Sequence, residues 1–530
     1  MPVRLRRAVA LVAALPLLLL PLAAGPAATA HAPPGRYAAI DDYVERRMAA
    51  TGVPGLAYAV VGPGGPIHRR AWGTDGNGSP VTFRTPFLWG SVAKPVTATA
   101  VLALVDAGRL RLTDRVVDHL PEFRFGGPGH AAEVTVRHLL DHTSGIPPVA
   151  GYLVTDCLGS GCPRPAARLA ALDDVRPLAP PGTAYAYTSA NYLVLAAVVE
   201  AVTGRPLAEH LRTAVFEPAG MDGAVADAAS AAARGLPPGH RLLWGVPAPI
   251  TAVDEHGAGY GYLGGGLDDL AAFAALHLRS GATATGRAVL RAESAALMRR
   301  PVTLPGRTHP YGLGWRVGGL PAPLDTAIWH TGGVPGYSAM LFLLPERGLA
   351  LVLQQNLYGV LHDEAVMEVG FGAARLLAGA SPGGRSASAA PYHATVWGLT
   401  ALALAMTCAA VRAARLLRRP ARPVARRRRV AVTVAWCALG ALPGIGLLVL
   451  ACQVPLRQVW LWAPDGLIAL AVAAAAGAVT AVPRLARAAR SGGAGRRRAP
   501  ATPHTLSRRR APSRGTGGVH AARGARGRRR

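Results

Sequence analysis

Three stretches near the C-terminal end constrain this chain more than anything else in it. Residues 391–411, 430–456 and 466–482 contain no aspartate, glutamate, lysine or arginine. A helix rises about 1.5 Å per residue, so about 20 apolar residues cross the roughly 30 Å hydrocarbon layer of a bilayer. The first two stretches reach that length alone, and the third reaches it with neighbours such as Trp460 and Trp462. Trp397, Trp436, Trp460 and Trp462 fall where interfacial aromatic belts would sit. A membrane region of three helices is therefore expected over residues 391–483, behind a much larger part that must build its own core.

Charge orients that region. Nine arginines fall in residues 412–429 and fifteen in residues 484–530, with no acidic residue in either stretch. The positive-inside rule places the first loop and the basic, disordered tail in the cytoplasm. Residues 31–378 then lie on the extracytoplasmic face of the plasma membrane. Residues 1–30 agree, with Arg4, Arg6 and Arg7 ahead of an apolar run and the small-residue site Ala28-Thr29-Ala30. That is the pattern of a secretory signal, and an uncleaved anchor helix there would give the same topology. The formal net charge of +28 resembles that of a nucleic-acid binder. Without the basic stretches it falls to near zero, so no electrostatic footprint for nucleic acid remains.

Cys408, Cys437 and Cys452 lie in the apolar segments, whereas Cys157 and Cys162 share a polar loop. In an extracytoplasmic domain that pair reads as a short disulfide, the alternative being two free thiols. A C-x4-C spacing without clustered histidine is weak as a metal site, and no metal or other cofactor is expected.

Chemistry concentrates at Ser91-Val92-Ala93-Lys94. Of 57 basic residues, Lys94 alone is lysine. Wherever positive charge sufficed, the chain carries arginine, which does not deprotonate in proteins. A lysine whose pKa is lowered by burial or a nearby cation can act as a base. Positions i and i+3 share a helix face, so the Ser91 hydroxyl and the Lys94 amine can meet, and a serine nucleophile needs such a base. Ala98, Val101, Leu102 and Val105 continue a buried helical stripe, and Pro95 fits only in a first turn. Ser91 is thus placed at a helix N-terminus, where free N–H groups suit an oxyanion.

Around this centre the pattern alternates. Helices are expected over residues 37–50, after Ser91, before Asp141, over 191–203, 261–281 and 363–378. Strands are expected over residues 56–61 and 67–72, and three more over 329–356, split by Pro335-Gly336 and Pro345-Glu346-Arg347-Gly348. One α+β domain follows, an antiparallel sheet flanked by helices. Residues 379–390, rich in small residues, read as a linker.

Several segments together resemble the serine β-lactamase and penicillin-binding-protein superfamily, in its class C β-lactamase-related branch. Ser91-Val92-Ala93-Lys94 matches its S-x-x-K motif. His142-Thr143-Ser144-Gly145, the region from Pro181-Gly182-Thr183 to Tyr187, and Tyr311-Gly312-Leu313-Gly314-Trp315 resemble further family stretches. His330-Thr331-Gly332 matches the K-T-G motif in its H-T-G form. The resemblance implies a β-lactamase/DD-peptidase-like fold and an acyl-enzyme on Ser91. Lys94 would take or relay its proton, and Tyr187 would be a second base or acid, helped as a phenolate by Lys94. The N–H groups of Ser91 and Gly333 would form the oxyanion hole. Ser189, His330, Thr331 and Gly332 would bind substrate. Two positions depart from the pattern: Ser189 stands in place of asparagine, and His330 in place of lysine, which removes a fixed charge for a carboxylate.

The expected function is that of a membrane-anchored extracytoplasmic serine hydrolase acting on an ester or amide in a small molecule or peptide. An esterase or D-amino-acid peptidase fits these departures better than a true β-lactamase. The competing reading is a non-catalytic binding or sensing ectodomain on a membrane anchor. A nucleic-acid role is excluded on charge, and the sequence leaves the oligomeric state undetermined.

Overall fold

The computed structural model describes residues 35–159, 161–383, 388–419 and 425–496. The signal expected at residues 1–30 lies outside the described residues, as do residues 384–387 of the linker and most of the basic tail.

Helix α1 spans Ala38–Thr51 and leads into strands β1 (Gly55–Gly62) and β2 (Gly65–Gly73). A 3-10 turn at Gly90–Val92 runs straight into α2 (Ala93–Asp106), and α3 covers Ser189–Thr203. A hairpin, β3 (Gly239–Leu243) and β4 (Val246–Ile250), precedes α4 (Leu267–Leu278). The chain closes the domain with β5 (Arg316–Val317), β6 (Ile328–Val334), β7 (Tyr337–Leu344), β8 (Leu349–Gln355) and α5 (Asp363–Leu377). Six strands form one sheet in the order β2-β1-β8-β7-β6-β5, antiparallel throughout.

Successive strand side chains point to opposite faces, so a sheet covered on both sides needs apolar residues at every position. β1 and β7 are buried along their whole length. Leu56, Tyr58 and Val60 pack with Ile40 and Val44 of α1 and Val366 and Val369 of α5. Ala57, Ala59 and Val61 face the other way, into a larger core with α2, α3 and α4. The domain is therefore a sheet between two helices and a thick helical layer. α2 runs through that layer, buried from Ala93 to Leu102, and carries the Ser91 end to the sheet edge.

The helix expected over residues 261–281 begins only at Leu267. Before it, Gly264–Gly265 is extended and pairs with Phe87–Leu88, just ahead of the 3-10 turn. A run of glycines has little helix propensity, and its lack of side chains suits close backbone pairing.

Beyond the domain stand α6 (Ala390–Leu417), α7 (Arg426–Gln453) and α9 (Pro464–Arg496), with a short helix, α8 (Leu456–Trp462), between the last two. Each of the three long helices holds a window long and apolar enough to cross a membrane. The β3–β4 hairpin docks on them. Trp244 Nε1 donates to Thr400 Oγ1 at 2.8 Å, and the Gly245 N–H donates to the Tyr392 hydroxyl at 2.9 Å. That hydroxyl donates to Asp465 Oδ2 at 2.6 Å.

Candidate active site

The 3-10 turn that carries Ser91 is clamped at its start by Trp89. The Trp89 N–H donates to the Leu263 carbonyl at 2.8 Å, and Trp89 Nε1 donates to Gln354 Oε1 at 3.1 Å. Ser91 occupies the middle of the turn, and Lys94 follows in the first turn of α2, fully buried. The i, i+3 spacing brings Lys94 Nζ to 2.9 Å from Ser91 Oγ. Nζ also lies 3.2 Å from Ser189 Oγ and donates to the Tyr260 carbonyl at 2.8 Å. Burial pulls the Lys94 amine down to about 7; the Arg316 guanidinium adds to this, and Asp156 opposes it. Among the described residues the partners of Nζ are neutral oxygens, those of Ser91, Ser189 and the Tyr260 carbonyl, which stabilise a proton less than a carboxylate would.

Tyr187 sits beside this pair, with Lys94 Nζ 5.1 Å from its ring centroid. The expectation that Lys94 would favour a phenolate there is corrected. Burial pushes Tyr187 up to about 12, against the pull of the Ser91 hydroxyl and Arg316, so it stays a protonated phenol. Ser189 opens α3, just after its N-cap Thr188.

β6 crosses over the turn that carries Ser91 at very short range. A Cβ on Gly332 would lie 2.1 Å from the Trp89 carbonyl oxygen and 2.5 Å from the Ser91 nitrogen. One on Gly90, whose φ is +55°, would lie 2.3 Å from the Gly333 nitrogen. Only glycine fits at either position. β5 pairs with β6 only at Ile328 and Trp329, which leaves the rest of that strand edge open to Ser91.

Ser91, Tyr187, Ser189 and Gly333 line one cleft of about 230 Å3, whereas His330, Thr331 and Gly332 lie along β6 off its lining. His330 Nδ1 donates to the Thr331 carbonyl at 2.7 Å, and its Nε2 is 3.3 Å from the Tyr311 hydroxyl. Burial first, then Arg316 and Lys94, push its pKa far below the usual histidine range, so it is neutral. His142 is likewise buried and neutral; its Nδ1 accepts from Asn191 Nδ2 at 3.0 Å.

Three contributors were not foreseen from the sequence. Arg316 places its guanidinium carbon 5.4 Å from the Tyr187 ring centroid and 5.2 Å from that of Trp329. The charge that His330 lacks is thus present on the neighbouring strand, and its signal was its place one residue after the Tyr311-to-Trp315 stretch. Asp156, buried and held by Tyr262, is the second. The third is Trp462, assigned above to an interfacial belt, which lines the cleft instead. Cys157 and Cys162 are bonded to each other directly after Asp156. The Cys157 N–H donates to Asp254 Oδ2 at 3.0 Å, and Asp254 makes a buried two-pronged pair with Arg168 at 2.6 and 2.7 Å.

Residues 40–369 match the family model described as Beta-lactamase. The chain belongs to that family. It is 37% identical over 324 residues to penicillin-binding protein 4 of Amycolatopsis lactamdurans, covering 57% of this chain and 81% of that one. It is 40% identical over 182 residues to esterase EstB of Burkholderia gladioli, covering 31% of this chain and 45% of that protein. Among solved structures, SurE superposes with a TM-score of 0.52 at 28% identity, over 66% of this chain and 77% of that one. The octameric penicillin-binding protein homologue from Pyrococcus abyssi shares the fold, with a TM-score of 0.54 at 24% identity over 65% and 78% of the two chains. Serine hydrolases of the beta-lactamase family thus supply both the sequence relatives and the fold. The family match ends before α6, so the three apolar helices lie outside it.

Proposed function

We propose that this protein is a membrane-anchored extracytoplasmic serine hydrolase that cleaves an ester or amide through an acyl-serine on Ser91. The observation that carries the reading is the fully buried Lys94 amine, 2.9 Å from Ser91 Oγ with its pKa drawn to about 7. A neutral amine there accepts the Ser91 proton as Oγ attacks the substrate carbonyl. The Ser91 and Gly333 N–H groups receive the developing oxyanion, an assignment supported by the glycine-only crossing of β6 over the turn. Tyr187, protonated at neutral pH, then gives its proton to the leaving oxygen or nitrogen and recovers one from the Lys94 ammonium. Water hydrolyses the acyl-serine by the same relay in reverse.

Substrate is an ester or a peptide-like amide. EstB and penicillin-binding protein 4, by their names, represent an esterase and a penicillin binder, and Arg316 would supply a charge for a substrate carboxylate. The three apolar helices and the arginine-rich loop and tail support the anchor, with the catalytic domain outside.

The test is labelling of the full chain with a fluorescent acyl-serine probe, with and without a penicillin competitor. Ser91→Ala should abolish labelling. Lys94→Arg should slow it by about 10²–10⁴, the usual worth of a general base, because arginine stays protonated. Melting curves taken alongside separate lost chemistry from misfolding caused by the bulkier side chain. A folded Lys94→Arg protein labelled at the native rate would show that Lys94 is not the base. Absence of wild-type labelling would favour the non-catalytic ectodomain.

A further inference from the structure

One residue that lines the catalytic cleft, Trp462, lies outside the stretch shared with the family. α8 connects α7 to α9 and lies against the segment 148–156 at the cleft. Arg457 Nη2 donates to the Tyr152 carbonyl at 3.0 Å, and Gln458 Nε2 donates to the Thr155 carbonyl at 3.2 Å. Trp462 Nε1 donates to Asp156 Oδ2 at 3.2 Å and to Gln458 Oε1 at 3.1 Å. The Trp462 ring meets Tyr358 edge-on, with centroids 5.7 Å apart. Tyr358 in turn packs on Gly333, where a Cβ would come 2.4 Å from its Cζ.

A plain connector between two helices needs only a few exposed residues. This one buries the Gln458 amide to 1% exposure and turns an indole into the cleft that holds Ser91. It also reaches toward the catalytic amine. The Asp156 N–H donates to the Tyr260 hydroxyl at 2.7 Å, and the Tyr260 carbonyl accepts from Lys94 Nζ at 2.8 Å. Two residues therefore separate Trp462 from Lys94. In the cleft the indole is joined by Pro148, Tyr152 and Val334, which give an apolar share of the lining beside the polar Thr155 and Asp156.

We propose that α8 is a wall of the substrate pocket and that Trp462 is a specificity-determining residue, limiting the size of the apolar group accepted beside Ser91. The proposal rests on the acyl-serine reading above and names the class of substrate for that site: an ester or amide carrying an apolar chain. The connection between two apolar helices then sets the selectivity of a domain that precedes both in the sequence.

The experiment uses the full chain in detergent and a series of p-nitrophenyl esters from acetyl to decanoyl. Trp462→Ala should shift the preference toward long chains, raising the decanoyl-to-acetyl ratio of kcat/KM about tenfold, as expected when a pocket gains room for further methylenes. Trp462→Phe keeps a ring but loses the N–H and should shift the ratio less. Hydrogen exchange across residues 151–158 should be faster in Trp462→Ala and in Gln458→Ala. A wild-type chain-length profile in Trp462→Ala, together with wild-type protection of that segment, overturns the proposal. If Trp462→Ala does not fold, Trp462→Phe and Gln458→Ala carry both measurements. If the wild-type chain is not labelled at Ser91 by the acyl-serine probe, the acyl-serine reading fails instead. Exchange alone then decides whether α8 forms the wall, and unchanged protection in both variants refutes it.

Discussion

At the scale of single residues, the proposed mechanism turns on one amine whose pKa is lowered by its surroundings. Burial is the main cause, and the Arg316 guanidinium contributes to the same shift. A lysine base works deprotonated, so acylation should rise with pH through about 7 and level off above it. Arg316→Gln removes a charge that disfavours the ammonium, so the lysine pKa rises and the acid limb must move to higher pH. The pH profile of probe acylation in wild type and Arg316→Gln measures this. A midpoint that stays in place or moves down would mean that the guanidinium does not act on Lys94. The same substitution should weaken competition by a penicillin more than competition by a neutral ester, because only the former carries a carboxylate for Arg316.

At the scale of elements, the site depends on β6 passing over the 3-10 turn closely enough to touch it. Gly332→Ala would put a methyl 2.1 Å from the Trp89 carbonyl oxygen, between two backbones that cannot yield independently. Strand and turn must separate, and the proposed oxyanion donor at Gly333 moves with them. Loss of one such donor typically costs about 10²–10³ in rate. Gly332→Ala is therefore expected to label at least about a hundredfold more slowly, with a lowered Tm. Native labelling in a folded variant would place the oxyanion donors elsewhere. The meeting of Ser91 with Lys94 was legible in the sequence, because a spacing of three on one helix is a local fact. The meeting of Ser91 with Gly333 was legible only through family resemblance, since 242 positions of chain separate them and no periodicity relates the two. The expected helix over residues 261–281 failed for a related reason. Its first residues are claimed by a backbone pairing with Phe87–Leu88, a partner no local window contains.

At the scale of the molecule, the domain and the apolar helices meet at the β3–β4 hairpin, at the α8 wall and at His362, whose ring lies 5.8 Å from that of Tyr392 on α6. The topology read from arginine distribution makes a direct prediction. Alkaline phosphatase fused after residue 378 should be active, and the same fusion after residue 490 inactive, as the positive-inside rule requires. The reverse pattern would place the catalytic domain in the cytoplasm and remove the basis for an extracytoplasmic hydrolase.

By itself the sequence determined the parts whose cause is local. Charge-free stretches of membrane-spanning length, arginine-rich flanks, the strand pairs around their turns and the solitary lysine three residues after a serine all follow from periodicity and composition. Tertiary structure decided what depends on approach between distant segments. It returned a cation to the site through Arg316 of β5 although His330 replaces the motif's lysine. It kept Tyr187 a phenol, because desolvation by the packed core outweighs the Ser91 hydrogen bond and the Arg316 charge. It also turned Trp462 from a residue that composition assigns to a membrane interface into a side chain lining the cleft. Hydropathy reads how much a residue avoids water. Which apolar surroundings it finds is set only when the connection between two helices meets the rim of another domain.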